Sequence, residues 1–472
     1  MKNKSIFRLL LWLALAPWLA CSTGGPATTA SEPSQPYNIL FIAVDDLNDW
    51  TGFLGGHPQT LTPNMDRLAR EGMVFERAYC AASVCNPSRA AIMSGFRPST
   101  SGIYHNGEDM FEAPLIRDGV MLPQYLSRFG YKTLSRGKIY HTPATGKHTW
   151  EVWSPVSGAY GKAAKAPGRM ANGIPTGEMA DNMDWGPTDA ALEETPDFLN
   201  ADWAARQLQQ DHDRPFFLAC GIFRPHLKWH VPREFFDKFD PETLTLPLVK
   251  EDDLEDVSAG VQQATREYRT IKKHGKEAEA VRAYLASINY ADACIGHLLD
   301  ALERSPYRDN TIVVLWGDHG WHLGEKLRYK KFTLWEEACR MPLIIKAPGI
   351  TPAGSRCERT VNLLDLYPTL TDLANLPTNQ QNDGRSLVPL LQDPETAWDF
   401  PSLTQMGEGR NSLRTERFRY LRYEDGSEEL YDHRQDPREW NNLSEDPAYQ
   451  NDKNQLAEKM NALLAAKGTS NE

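Results

Sequence analysis

Short apolar runs alternate with amphipathic segments along most of the chain. Residues 38–44 (NILFIAV) form an almost unbroken apolar run, which is typical of a strand buried on both faces of a parallel sheet. The same reasoning predicts strands at 131–134, 215–220, 311–316 and 341–345, and helices at 63–71, about 122–129, 202–210 and, as a long charged region, about 251–303. This alternation predicts an α/β fold with a mostly parallel central sheet flanked by helices.

The pattern changes after about residue 375, where the strands become short. Residues 418–423 and 429–431 are predicted to pair as an antiparallel hairpin around a turn at Gly426. A closing helix is predicted near 455–465. We therefore expect a small C-terminal subdomain built on an antiparallel sheet.

The N-terminus has the pattern of an export signal. Basic residues precede the apolar run 9–16, which is too short to cross a bilayer. Residues 18–21 (WLAC) resemble a bacterial lipobox, so Cys21 is a candidate lipid anchor; cleavage to a soluble periplasmic or secreted protein is the alternative. The predicted organisation is a signal peptide (1–20), a polar tether (21–36), a large catalytic domain (37–375) and the C-terminal subdomain (376–472).

Composition narrows the class of partner. The 472 residues are 41% hydrophobic, which is enough for a sizeable core, and the net charge is −12. That charge argues against general nucleic-acid binding, so a polyanionic substrate would need a local basic pocket. Seven cysteines are present. Setting aside Cys21 and Cys85 leaves an odd number, so at least one thiol is free and the fold is not a disulfide scaffold.

Four predicted strands are followed by polar residues that carry chemistry. In chain order these are Asp45 and Asp46, Lys138 and His141, His226, and Asp318 and His319. In an open parallel sheet the carboxyl ends of the strands meet at one edge, where ligands bind. Asp45, Asp46, Asp318 and His319 are therefore predicted to bind one divalent cation there. A long surface loop is predicted at 154–187, which is rich in Gly, Ala and Pro and is a candidate cover for the site.

The segment 85–89 (CNPSR) places a cysteine at the start of a predicted helix. Residues 90–93 favour a helix, and Gly95 suits a left-handed cap at its end. Anions are stabilised at a helix N-terminus, and Arg89, one turn on, can reach the same anion. The spacing Cys-x-Pro-Ser-Arg resembles the maturation signature of the type I sulfatases, in which the cysteine is oxidised to formylglycine.

The resemblance extends over about 38–443, leaving 154–187 unmatched. Segments that resemble sulfatase motifs, in the family's order, are VDDL (44–47), TPNMDRLA (62–69), GKIYH (137–141), RPH (224–226), DHGW (318–321) and ELYD (429–432). Two residues separate Lys138 from His141, and His319 stands where many sulfatases have Asn. Both features resemble the iduronate-2-sulfatase branch.

The resemblance implies a large alkaline-phosphatase-like sulfatase domain and a set of roles. It implies Ca²⁺ held by Asp45, Asp46, Asp318, His319 and residue 85, although an imidazole ligand would equally suit Mn²⁺ or Zn²⁺. It implies that a formylglycine-generating maturase converts Cys85. Hydrated formylglycine would attack sulfur, and Arg89 would support it. Lys138 and Lys331 would bind sulfate oxygens. His226 would protonate the departing sugar oxygen, and His141 would accept a proton. Lys330 is the alternative to Lys331.

The branch resemblance also implies a substrate: a 2-O-sulfated uronic acid, or a similar sulfated sugar, of an acidic polysaccharide. Candidate substrate-binding residues are His105, Arg224, Trp229, Trp321 and His322, with the two tryptophans as stacking surfaces. Basic residues near the predicted catalytic positions would meet a substrate carboxylate: Arg224, Lys228, Lys326, Arg328 and Lys330. Two alternatives remain open, namely a phosphomonoester or phosphonate hydrolase of the same superfamily and a non-catalytic glycan-binding protein.

Overall fold

The computed structural model describes residues 36–117, 120–142 and 144–466. The predicted signal peptide, the lipobox with Cys21 and nearly all of the tether lie outside these residues. The strands are β1 (Asn38–Val44), β2 (Met73–Tyr79), β3 (Lys132–Arg136), β4 (Val152–Ser154), β5 (Trp185–Thr188), β6 (Phe216–Ile222), β7 (Trp229–Pro232), β8 (Thr311–Gly317), β9 (His322–Leu323), β10 (Tyr329–Lys330), β11 (Leu343–Lys346), β12 (Ser355–Asn362), β13 (Ser402–Gln405), β14 (Asn411–Arg414), β15 (Phe418–Arg422) and β16 (Glu428–Asp432). The α-helices are α1 (Pro63–Glu71), α2 (Cys85–Ser94), α3 (Pro98–Ser101), α4 (Pro114–Arg117), α5 (Leu122–Arg128), α6 (Pro196–Gln207), α7 (Arg233–Phe236), α8 (Arg266–Lys273), α9 (Glu277–Glu303), α10 (Glu336–Cys339), α11 (Leu366–Leu373), α12 (Val388–Gln392) and α13 (Gln450–Ala465).

An eight-stranded sheet in the order β12-β2-β11-β8-β1-β6-β3-β4 forms the centre of the fold. Every neighbouring pair in it is parallel except those made by β11, which runs antiparallel to both β2 and β8. The prediction of a mostly parallel central sheet is confirmed. None of the helices in the described ranges is long and apolar enough to cross a membrane.

The continuous apolar sequence of β1 follows from its burial on both faces. Successive side chains of a strand point to opposite faces. Leu40, Ile42 and Val44 pack into one hydrophobic cluster, together with residues of α1, α6 and α9. Phe41 and its neighbours on the other face pack into a second cluster, together with residues of α2, α5 and α11.

A four-stranded antiparallel sheet in the order β13-β14-β15-β16 lies near the C-terminus, and α13 packs on it through Leu456 and Met460. The predicted antiparallel sheet and closing helix are therefore confirmed. From Pro36 onward the chain forms one compact unit. The boundary between 375 and 376 stays a prediction. The six cysteines in the described ranges all carry free thiols.

Several predictions about individual elements were wrong. Helix α6 begins at Pro196 rather than at 202, and 251–265 forms turns and a single 3-10 turn in place of the start of a long helix. The segment 154–187 is anchored to the core, because its four methionine and isoleucine side chains are buried: Met170, Ile174, Met179 and Met183. Residues 157–169 are mostly exposed and irregular, as predicted, so the prediction of a surface loop fails only for the later, anchored part of the segment.

Candidate active site

Four adjacent strands of the central sheet, β8, β1, β6 and β3, end at the same edge. Val44 at the end of β1 is paired with Gly317 of β8 and with Ile222 of β6, and Arg136 at the end of β3 is paired with Cys220. Six of the seven residues predicted to meet at this edge are in contact there: Asp45, Asp46, Lys138, His226, Asp318 and His319. The position of His141 at the site stays a prediction.

Cys85 is the first residue of α2, and its thiol is 1% exposed. The helix ends at Gly95, whose φ of 78° is the left-handed cap that the sequence predicts. Sγ of Cys85 lies 3.0 Å from Nζ of Lys331 and 3.2 Å from Nε2 of His319. Burial alone would raise the pKa of this thiol, but Lys331 and Lys138 hold it well below its usual value. The position is therefore built for a negatively charged group.

Arg89 joins two carboxylates of the site. Its Nε donates to Oδ2 of Asp318 over 2.9 Å, and an Nη donates to Oδ1 of Asp45 over 3.0 Å. The other Nη donates to the backbone carbonyls of Lys138 and Ile139. Arg89 is fully buried, and its Nε and both of its Nη groups already donate to the protein. It holds the carboxylates in place, whereas the sequence suggested that it would point at the bound anion.

Asp46 adopts a left-handed backbone conformation, with φ of 59°, which is uncommon for a residue other than glycine. Its backbone N–H donates to Oδ1 of Asp318 over 3.0 Å, and its carbonyl accepts the hydroxyl of Tyr284 over 2.7 Å. Within the described part of the chain, its buried Oδ2 has no hydrogen-bond partner. Burial raises the pKa of Asp46 to about 7, against the opposing effect of Lys331.

These atoms fit a divalent cation. Carboxylate oxygens of Asp45, Asp46 and Asp318 lie within 4.8 Å of one another, as do ligand atoms of Cys85, Asp318 and His319. Oδ2 of Asp46, which lacks a partner in the described part of the chain, is the acceptor that a cation would satisfy. Nδ1 of His319 lies 3.0 Å from the carbonyl of Gly320, which leaves Nε2 to face the site. Burial would lower the pKa of His319, but Asp318 raises it to about 9, so the imidazole carries a proton when no cation is bound. Binding of a cation by Nε2 would release this proton.

Two lysines complete the positive side of the site. Lys138 donates to Oδ2 of Asp45, and Lys331 donates to Oδ1 of Asp46 as well as to the thiol. Burial would lower the pKa of Lys331, but Asp46 and Cys85 raise it. Lys330 instead pairs with Glu267 over 2.9 Å, so of the two candidates Lys331 is the one at the site.

His226 lies at the mouth of the site with 29% of its side chain exposed. Its Nδ1 lies 2.7 Å from the carbonyl of Leu227, and its Nε2 lies 3.9 Å from Oδ2 of Asp46. Burial lowers the pKa of His226 to about 3, so the imidazole is neutral when no ligand is bound. His141 is partly buried, and among the described residues its Nδ1 has no hydrogen-bond partner.

The structure corrects most of the predicted substrate-binding residues. Trp229, Trp321 and His322 are at most 1% exposed, so they belong to the core and cannot stack on a sugar. Arg224 is 5% exposed: its guanidinium stacks on Tyr160 at 3.7 Å and donates to the carbonyl of His226. It braces the His226 loop rather than facing a ligand. His105 is exposed and stays a prediction.

The basic residues expected around the site are also largely engaged elsewhere. Lys326 is buried against Asp253 and the carbonyl of Glu439, and Arg328 donates to the carbonyl of Val261. Lys228 remains exposed.

The sulfatase family profile matches residues 37–376, and the profile described as N-sulphoglucosamine sulphohydrolase, C-terminal, matches 317–466. A protein named sulfatase from Formosa agariphila is 34% identical, over 93% of this chain and 88% of that protein. Iduronate 2-sulfatase of Homo sapiens is 29% identical, over 88% of this chain and 80% of that protein. A solved structure of a protein in complex with its substrate, D-glucosamine-2-N,6-O-disulfate, is 25% identical with a TM-score of 0.72, over 93% of this chain and all of that one.

Proposed function

This chain belongs to the sulfatase family and is a sulfatase, and from that premise we propose that it removes O-sulfate from a 2-O-sulfated uronic acid, or a similar sulfated sugar, of an acidic polysaccharide. The observation that carries the proposal is the buried residue 85 at the N-terminus of α2, with Lys331 at 3.0 Å and His319 at 3.2 Å. A buried reactive position beside fixed positive charge suits attack on an anionic ester.

Two groups that the family implies fit this chain. Asp45, Asp46, Asp318 and His319, together with residue 85, would hold a divalent cation, for which Ca²⁺ is our proposal. When bound, the cation would neutralise charge on the ester, and formylglycine made from Cys85 would supply the nucleophilic hydroxyl. We also propose that a maturase makes this conversion, since the intact Cys85 signature supports it.

The other residues of the site bind, orient and move protons. Lys138 and Lys331 would bind sulfate oxygens, because each carries a fixed positive charge within the pocket. Arg89 holds Asp45 and Asp318 so that their oxygens converge. These contacts resist rearrangement as charge develops on the sulfate, which is how a preorganised site stabilises a transition state.

His226 is the proposed proton donor to the departing sugar oxygen. An alkoxide leaves poorly, so a positioned acid contributes on the order of 10²–10⁴ in rate. An anionic ester bound beside the ring favours the protonated imidazole and raises the pKa of His226 from its value in the free protein. His141 is the proposed acceptor of the second proton. Its Nδ1 has no hydrogen-bond partner among the residues that the structure describes, which supports that assignment.

The choice of substrate rests on two observations. The human relative named iduronate 2-sulfatase supports the 2-O-sulfated uronate. Lys138 and Lys331 place positive charge in the pocket of a chain whose net charge is −12, and this charge suits an anionic sugar. The solved neighbour's glucosamine substrate is a different sugar, so relatives of this fold differ in specificity. The N-terminal sequence supports export to the periplasm or the outer membrane, with Cys21 as a proposed lipid anchor.

The test is desulfation of a saccharide panel by protein matured in a host with a formylglycine-generating maturase. Glycosaminoglycan-derived and algal oligosaccharides, each as 2-O- and 6-O-sulfated isomers, are compared with matched phosphate esters. Sulfate release that is fastest from a 2-O-sulfated uronate supports the proposal. Preference for a neutral 6-O-sulfated hexose overturns the substrate, faster phosphate release favours the phosphomonoester or phosphonate hydrolase, and binding without turnover favours a glycan-binding protein.

A further inference from the structure

Phe332 is an exposed aromatic residue that follows Lys331, the lysine in contact with the reactive position. Its side chain is 48% exposed, in contrast to the buried Trp229 and Trp321. It follows Lys331, whose Nζ lies 3.0 Å from Sγ of Cys85 and 5.9 Å from the centroid of the Phe332 ring. The lysine thus connects the reacting centre to an apolar ring that faces solvent.

The backbone that presents Phe332 is unusual. Within 324–332, four residues other than glycine have positive φ: Lys326 (52°), Leu327 (51°), Lys330 (77°) and Phe332 (71°). Bulky residues rarely adopt this conformation, and backbone strain of this kind concentrates at functional sites.

Buried contacts hold the segment 324–332 in place. Lys326 donates to Asp253 over 2.8 Å, Lys330 donates to Glu267 over 2.9 Å, and Tyr329 is buried. These contacts fix the residues before Lys331, so Lys331 points into the site while Phe332 is left exposed. Packing therefore does not explain the position of the Phe332 ring.

We propose that Phe332 is the stacking platform for the sugar ring that carries the scissile sulfate. The inference rests on the proposed function, in which Lys331 binds the sulfate. A pyranose attached to that sulfate extends outward past Lys331, and its C–H face is the apolar surface that an aromatic face covers. The platform selects a pyranose ring over an acyclic sulfate ester, and it acts without a charge of its own.

The test uses Phe332→Asn, since asparagine tolerates positive φ while it removes the ring. We expect KM for the sulfated oligosaccharide to rise about tenfold, with kcat changed less than about twofold. The inhibition constant of inorganic sulfate, which needs the lysines but no ring, should stay unchanged. Phe332→Trp should keep KM near that of the unmodified protein. Phe400→Asn is the matched control, because Phe400 is 41% exposed but stacks under Arg385 at 3.9 Å, in another pocket.

An unchanged KM in Phe332→Asn overturns the proposal. A parallel rise in the sulfate inhibition constant also overturns it, because Phe332 would then only position Lys331. If the unmodified protein releases no sulfate from any saccharide, the proposed function fails instead. Direct titration of the same saccharides into the unmodified protein and Phe332→Asn then tests whether Phe332 is the stacking platform. About tenfold weaker binding to Phe332→Asn supports the proposal. Equal binding to the two proteins, or binding to neither, overturns it.

Discussion

Two clusters of buried or nearly buried charged residues in the described ranges differ in how their polar atoms are satisfied. The catalytic cluster comprises Asp45, Asp46, Cys85, Arg89, Lys138, Asp318, His319 and Lys331. The inter-sheet cluster comprises Glu336, Arg414, Arg419, His433 and Glu439. Each cluster brings three potential metal ligands within 4.8 Å of one another. Proximity of ligand types therefore does not separate them.

In the inter-sheet cluster, the buried charged groups pair with one another. Arg419 is fully buried and donates to Glu439 and Glu336, to Oγ of Ser412 and to the carbonyl of Leu334. Both carboxylate oxygens of Glu439 accept hydrogen bonds. Burial alone would raise the pKa of Glu439, but Arg419 and His433 lower it to about 2. These contacts join α10 to the C-terminal sheet.

In the catalytic cluster, one buried acceptor is left without a partner among the described residues. Oδ2 of Asp46 has no hydrogen-bond partner among the described residues, although it is buried. The pKa of Asp46 is raised while that of the Cys85 thiol is lowered, so neighbouring groups are perturbed in opposite directions. An acceptor left over beside oppositely perturbed groups indicates a ligand site, whereas a complete set of pairs indicates a structural network.

The largest expected effect is on turnover by Cys85→Ala. Removal of the proposed nucleophile should lower kcat by at least about 10³-fold, with cooperative unfolding retained. Sulfate release and thermal unfolding measure the two effects. The matched control is Cys220→Ala, a buried cysteine in β6, which should keep its activity per folded molecule. Comparable turnover by Cys85→Ala would remove residue 85 from the reaction.

Arg419→Met should act on stability and not on chemistry. It leaves Glu336 and Glu439 buried without their cation, which costs about 3–5 kcal/mol of unfolding free energy. Denaturant titration measures this cost, and activity per folded molecule should persist. Arg417→Met is the control, since its ion pair with Asp432 is partly exposed and its loss should cost less than about 1 kcal/mol. Equal costs for the two variants would show that the inter-sheet cluster is not structural.

Acid should weaken the fold through Glu439. Its folded pKa of about 2 lies below the ordinary value of 4.5, so its contribution is present above pH 4.5 and is lost as the pH falls toward 2. The shift corresponds to about 3 kcal/mol. Unfolding free energies measured across this range should fall by at least roughly that amount, because Glu336 and Asp45, whose pKa values are also lowered, destabilise the fold in the same direction. The fall should be smaller in Arg419→Met. An identical acid dependence in both proteins would contradict the assignment.

The smallest expected effect is on metal affinity. Tyr284→Phe removes the donor to the carbonyl of Asp46 and the acceptor of the Asn48 N–H, so the left-handed turn loses support. Calcium affinity should weaken about tenfold, as measured by calorimetry. Tyr290→Phe, on the same helix, loses a buried hydrogen bond to Thr195 and should leave calcium affinity unchanged. Equal effects of the two substitutions would mean that Tyr284 acts only through overall stability.

The sequence predicts features that are local or repeated along the chain. The apolar run of β1 and the bounds of α2, with its cap at Gly95, are local signals, and the convergence at the sheet edge follows from strand order. The sequence did not reveal β2, whose apolar and charged residues are mixed. The sequence also did not predict the contact of Tyr284 with the site, because its partner Asp46 is 238 residues away. The prediction for Trp229 was wrong because nearness in sequence to a predicted catalytic residue says nothing about burial.

The most direct test of the contrast between the clusters is the number of calcium ions bound per chain. The count is made by calorimetry and elemental analysis on the unmodified protein, on Asp46→Asn and on His433→Asn, each first confirmed as folded. We expect one ion in the unmodified protein, none in Asp46→Asn and one in His433→Asn. An ion retained by Asp46→Asn, or lost from His433→Asn alone, would contradict the assignment of the catalytic cluster as the metal site.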